Sequence, residues 1–214
     1  MQKSEQPTDE LASRRILPLA TDTVFIFLAA YLILGYALAL LHSRSIFFTA
    51  SEAFFALYLV LSLFLMLIRR KATVFSSRVT DYAYTLLGLG SPLLFQPASR
   101  GSLLIGVMLE VVGAALVLGG LLSLNKSFGL GPENRGIKTR GMYRIVRHPI
   151  YSGYVLAEAG FFLNNLSLVN LVALMISVFF LLLRMLAEER LLDSDDEYLE
   201  YARRVRWRLI PFLF

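Results

Sequence analysis

Six apolar blocks punctuate this chain, and they constrain its fold more than any other feature. They run over Thr23–Leu41, Ala53–Ile68, Tyr82–Phe95, Ser102–Leu124, Ile150–Leu163 and Leu166–Met185. A helix crossing the hydrocarbon of a bilayer needs about 20 apolar residues, with tolerance for somewhat fewer. The first, fourth and sixth blocks reach that length, the second is marginal, and the third and fifth are short. Composition agrees: 57% of residues are hydrophobic, 17% are charged and mean hydropathy is +0.62. Soluble domains show roughly 45–50% apolar and about 25% charged residues. The expectation is an all-α polytopic membrane protein with about five to six membrane helices.

Charge is distributed as a membrane requires. With a cytoplasmic N-terminus and six crossings, all but Arg44 and Arg100 of the 21 basic residues fall on the inner side, as the positive-inside rule demands. The net charge of +5 is thereby explained by membrane lipids, and no nucleic-acid partner is implied. Both termini are expected in the cytoplasm and the protein in a bacterial inner (plasma) membrane. Ser13-Arg14-Arg15 mimics a twin-arginine signal and Ala37-Leu38-Ala39 a signal-peptidase site. The first block is long for a signal core and others follow it, so it reads as an uncleaved anchor. The absence of cysteine excludes disulfides, thiolate metal sites and a cysteine nucleophile.

Three segments organise the chain. Residues 1–16 read as a polar, mobile cytoplasmic tail, 17–124 as N-terminal membrane helices, and 125–214 as a loop, a helical hairpin and a C-terminal helix. Gly106, Gly113 and Gly120 recur every seven residues on one face of the fourth block, a pattern that lets another helix backbone approach. The connection 125–149 is too long to be idle. Its glycines permit turns, while Phe128, Ile137, Met142, Tyr143 and Ile145 argue for an ordered segment. Asn164-Asn165 breaks the apolar run into an antiparallel hairpin. Asp193-Ser194-Asp195-Asp196 is a capping run, followed by Tyr198, Tyr201, Ala202, Val205 and Leu209 at helical spacing. With Arg203, Arg204, Arg206, Arg208 and Trp207, this stretch reads as a helix lying on the cytoplasmic leaflet or covering the loop.

Polar chemistry gathers at one mouth of the hairpin. The run Arg147-His148-Pro149-Ile150-Tyr151-Ser152-Gly153 opens its first arm, with Pro149 suited to the first helical position. The second arm returns to the same surface with Arg184, Glu188, Glu189 and Arg190. A lone histidine is most often structural, and metal ligation by His148 is not expected without a second histidine nearby. Beside Arg147 and three residues before Tyr151, however, His148 reaches a shared mouth. One of Glu188 and Glu189 is expected to pair with Arg184 or Arg190. The other is expected to face a pocket, where it stabilises a positive charge or accepts a proton. Within the spans, Glu158 shares a face with Tyr151 and is either a substrate-side group or a protonated packing residue; Glu110 reads as structural.

These residues together resemble a known family. Ser127-Phe128-Gly129, Gly141-Met142-Tyr143-Arg144, Arg147-His148-Pro149-x-Tyr151-x-Gly153, Glu188-Glu189 and the tail Glu197-Tyr198-x-x-Tyr201-x-x-x-Val205 with Pro211 are similar to the isoprenylcysteine carboxyl methyltransferase superfamily, which includes phospholipid N-methyltransferases. The ordered set covers about the C-terminal 90 residues and is specific where single pieces are not. The resemblance implies a small membrane enzyme that uses S-adenosylmethionine at its cytoplasmic face and a lipophilic or small acceptor. By the same resemblance, Arg147, His148, Pro149, Tyr151, Gly153, Tyr143, Gly141 and Phe128 line the cofactor pocket. Glu188, Glu189 and Arg184 take the catalytic roles. The N-terminal half carries no matching motif, so the acceptor is not implied. An NADPH-binding membrane reductase of sterol-reductase type, or a non-enzymatic membrane protein, is the alternative.

Overall fold

The computed structural model describes residues 8–42, 46–96 and 103–214; Lys3, Arg44 and Arg100 lie outside them. Six helices build a bundle: α1 (Thr8–His42), α2 (Ile46–Ile68), α3 (Val79–Gly90), α4 (Leu104–Leu124), α5 (Pro149–Asn164) and α6 (Leu168–Leu192). A seventh, α7 (Asp196–Arg204), packs at one end. Among the described residues three segments are long and apolar enough to cross a membrane: Ile16–Leu38, Leu104–Ser127 and Leu168–Leu192. Phe27, Leu34, Leu67, Leu122 and Met175 are exposed, as expected where lipid tails are as apolar as leucine.

Three boundaries differ from expectation. The first helix begins at Thr8, inside the segment expected as a tail. Extending a formed helix is far easier than nucleating one, and Leu11, Ala12, Arg14 and Arg15 are good helix formers. The third block yields only the 12 residues of α3 followed by a 3₁₀ turn over Ser91–Leu94. Pro92 lies in that turn, where its ring blocks a continued α-helical ladder. The C-terminal helix stops at Arg204 instead of reaching Leu209, and Val205 is already extended.

Neighbouring helices pair in the order α1–α2–α4–α5–α6–α3 and back to α1, closing a ring. The tightest pair is α4 with α5, and the glycine repeat explains it. A Cβ on Gly113 would lie 2.6 Å from the backbone of both Gly153 and Ala157, and one on Gly160 would lie 2.5 Å from Gly106 O. At the far end of the hairpin Asn164 donates to Glu110 Oε1 at 2.8 Å and accepts from Leu103 N at 2.8 Å. Glu110 thus ties α4 to the hairpin turn, a structural role. Asn170 exchanges 2.8 Å hydrogen bonds with both backbone groups of Gln96. These bonds satisfy polar groups that the bilayer cannot.

At the opposite end the loop 125–149 is ordered. Strands β1 (Val74–Phe75) and β2 (Glu133–Asn134) pair antiparallel, fastening it to the α2–α3 connection. Arg70 N donates to Lys126 O at 2.7 Å, and Arg135 pairs with Glu133 at 2.5 Å. Arg69 bridges Asp22 of α1 and approaches Glu133. Asn134 donates to Asp195 Oδ2 at 2.7 Å, joining the loop to the start of α7.

Candidate active site at the loop end of the bundle

Proline explains the local architecture. The residue before a proline is pushed out of helical conformation, so His148 (φ −128°, ψ 62°) stands outside α5 while Pro149 starts it. The imidazole is then free to turn toward α6. Its Nε2 lies 3.2 Å from Glu189 Oε1, and its ring stacks on Tyr151 with centroids 5.4 Å apart and planes 10° from parallel.

The two adjacent glutamates face different neighbours. Glu189 is buried and takes Arg147 at 2.8 Å and His148 on Oε1, and Arg208 at 2.7 Å on Oε2. Glu188 accepts the hydroxyl hydrogen of Tyr151 and lies 3.4 Å from Arg184 Nε. Arg184 donates through Nη2 to Leu130 O at 2.7 Å and stands 5.1 Å over the Tyr151 ring. Its buried Nε has no hydrogen-bond partner.

A narrow cleft opens beside this group. Tyr58, Leu89 and Leu124 come from α2, α3 and α4. Phe128, Gly129, Leu130 and Tyr143 come from the loop, His148, Ile150, Tyr151 and Tyr154 from the start of α5, and Arg184 and Glu188 from α6. Tyr154 donates to Tyr58 across the ring interior, with their rings edge to face at 5.6 Å. Small-molecule sites typically combine mostly apolar walls with a few placed polar groups, and the lining of this cleft has that chemistry.

The expected site residues therefore separate. Phe128, Tyr143, His148, Tyr151, Arg184 and Glu188 line the cleft. Arg147, Pro149, Gly141, Gly153 and Glu189 do not. Arg147 is occupied by Glu189 and by Tyr198 Oη at 3.3 Å. Pro149 is fully buried at the start of α5, and Gly153 packs on Gly113 and Val117 of α4. Gly141 has φ +63°, a region that favours glycine, and this turn carries Tyr143 back under α4. Glu158 lies deeper in the bundle; its Oε1 accepts from Ser177 at 2.8 Å, and its buried Oε2 has no hydrogen-bond partner. Arg135 of the loop is buried against Glu133.

α7 covers the loop with its aromatic face, so the expected stripe packs on protein. Tyr198 and Tyr201 are buried with Tyr143, and Tyr201 donates to Tyr143 O at 2.8 Å. Burial raises the Tyr143 phenol well above its ordinary value, and the charge of Glu188 adds to the shift. Tyr143 thus presents a neutral hydroxyl at the cleft.

Sequence reasoning missed Tyr58 and Tyr154 as lining residues and Arg208 as a partner of Glu189. Tyr154 carried a signal, lying three residues after Tyr151 on the same helical face. Tyr58 carried none, because the stretch of α2 around it, Ala53–Ile68, is apolar apart from Ser62.

Fold and cleft define an integral membrane protein of the helical class, with a polar, aromatic-walled cleft at one end of its bundle. Residues 102–195 match the family model described as phospholipid methyltransferase, so that segment is similar to the membrane methyltransferases. No curated protein matches the chain.

Proposed function

We propose that this protein is a methyltransferase that uses S-adenosylmethionine, held in the cleft between α5, α6 and the 125–149 loop, and methylates a lipophilic acceptor arriving from the bilayer. The observation that carries the reading is the Tyr151–Glu188–Arg184 group, set among aromatic walls inside the family-matched segment. The residues present fit the cofactor. A carboxylate and several aromatic faces suit a sulfonium cation, and the guanidinium of Arg184 in the cleft wall suits a carboxylate. Bound there, S-adenosylmethionine supplies a methyl group on a positively charged sulfur.

The chain's own residues then bind, orient and exclude water. Glu188 lies where it favours positive charge, while Tyr151 fixes one of its oxygens. Arg184 would hold an anionic group of the cofactor or acceptor. Phe128, Leu130 and Tyr143 wall the cleft on the loop side, and Tyr58 and Tyr154 wall it from α2 and α5. Catalysis in such a site rests chiefly on alignment. An amine acceptor would give up its proton to Glu188; a thiolate or carboxylate needs no base. Arg69, Arg70, Lys126, Arg135, Arg147, Arg190 and Arg208 all gather at the cleft end, which supports a cytoplasmic site.

Calorimetric titration of detergent-purified protein with S-adenosylmethionine and S-adenosylhomocysteine, with NADPH in parallel, tests the proposal. Both sulfur ligands should bind saturably and NADPH should not. Glu188→Gln should weaken the charged ligand about tenfold more than its neutral analogue, the effect of losing one favourable charge contact. Equal losses for both would remove Glu188 from its role. Binding of NADPH alone would make the protein a reductase.

A further inference from the structure

Glu189 lies behind the cleft wall, yet three basic side chains converge on it. Two of them, Arg147 and His148, belong to the segment that opens α5. The third, Arg208, comes from the tail beyond α7, which the family-matched segment does not include. An exposed ion pair contributes little by itself, and the Arg208 side chain is 35% exposed. Its partner, however, is buried to 6%, and the tail is not free to wander.

Backbone bonds hold it against α5. Arg147 N donates to Trp207 O and His148 N to Arg208 O, each at 2.9 Å. Ser152 Oγ donates to Leu209 O at 2.6 Å. The N–H groups of Arg208, Leu209 and Ile210 all point to Phe214 O at 2.9–3.0 Å, which fixes the turn behind Arg208. Its guanidinium therefore meets Glu189 Oε2 from a defined direction, leaving Oε1 for Arg147 and His148. From His148 the contacts continue by ring stacking to Tyr151 and by hydrogen bond to Glu188 at the cleft.

We propose that Arg208 is a positioning residue for the cleft: it orients Glu189, and through Glu189 the imidazole of His148 and the Tyr151–Glu188 pair. What the cleft then binds rests on the function proposed above, but the positioning itself does not.

The chain has only two histidines, so a His42→Gln background leaves one imidazole signal to follow by NMR in detergent micelles. Arg208→Gln should shift the His148 resonance, and Arg208→Lys should restore most of it. In a Glu189→Gln background, Arg208→Gln should produce no further shift. S-adenosylhomocysteine affinity should fall about tenfold in Arg208→Gln, within the range of couplings seen in shared networks, and largely recover in Arg208→Lys. An unmoved His148 signal in Arg208→Gln, or an undiminished shift without Glu189, would overturn the proposal. Failure of unmutated protein to bind the ligand would instead overturn the functional reading, and the His148 signal alone would then decide the role of Arg208.

Discussion

Glu189→Ala is expected to destabilise the protein by about 3–5 kcal/mol, the usual consequence of removing one partner from a buried ion pair. Three cationic or proton-accepting groups, Arg147, His148 and Arg208, now share one buried carboxylate. Without it they face one another with little water to compensate. Arg147 loses most: its buried Nε already lacks a partner, leaving only Tyr198 Oη for its guanidinium among the side chains. The start of α5 and the tail strand should separate first. Thermal denaturation in detergent reads the effect as a fall of several degrees in Tm. A Tm within about 2 °C of the unmutated protein would correspond to about 1 kcal/mol or less and would refute the buried-carboxylate argument.

The second large effect belongs to the α4–α5 seam. Gly113→Val places a branched side chain where even a Cβ would sit 2.6 Å from two backbone atoms, Gly153 O and Ala157 N. Backbone cannot swing aside as a side chain can, so the helices must part along their length. Inside a bilayer no hydrophobic force draws them back, since packing and hydrogen bonds alone favour the pair. The expected loss is about 3 kcal/mol or more, at or above the upper range for overpacked cores. Because α5 carries Tyr151 and His148 leads directly into it, ligand binding should vanish with the fold. Gly35→Val is the control, as no heavy atom lies within 4 Å of a Cβ there. Equal melting of the two variants would show that the seam does not depend on its glycines.

Some of this was readable in the chain alone. Pro149 and Asn164-Asn165 marked both ends of α5 because proline and paired asparagines constrain backbone directly. The seven-residue glycine spacing pointed to helix packing, and the α4–α5 contacts have that origin. Gly153 was the harder case. Grouped with His148 and Tyr151 by adjacency, it faces α4 instead, since the helix turns it away from both. Adjacency likewise could not separate Glu188 from Glu189, whose directions around α6 differ by about 100°. Tyr58 was illegible for another reason. A helical stretch so nearly apolar all round shows no preferred face, and only ring closure brings α2 opposite α5. The tail after Arg204 was misjudged because its helical spacing continued; hydrogen bonds to Arg147, His148 and Ser152, distant in sequence, hold it extended instead.

The order of helices around the ring bears on how the chain is made. α3 is synthesised third but sits between α1 and α6, the first and the sixth helices in chain order. Asp81 of α3 lies 3.1 Å from Arg190, and Ser91 of the 3₁₀ turn after it lies 2.9 Å from Ser177. Arg190 and Ser177 lie on α6, and the intervening α4 and α5 must be threaded before they arrive. At 12 residues, α3 is far short of the roughly 20 that let a segment insert unaided. During biogenesis it must therefore wait, shallow in the membrane or sheltered by the insertion machinery, until α6 supplies its missing side. The bundle closes only when the last hairpin is released, so the cleft is completed late, in the same event that seals the ring.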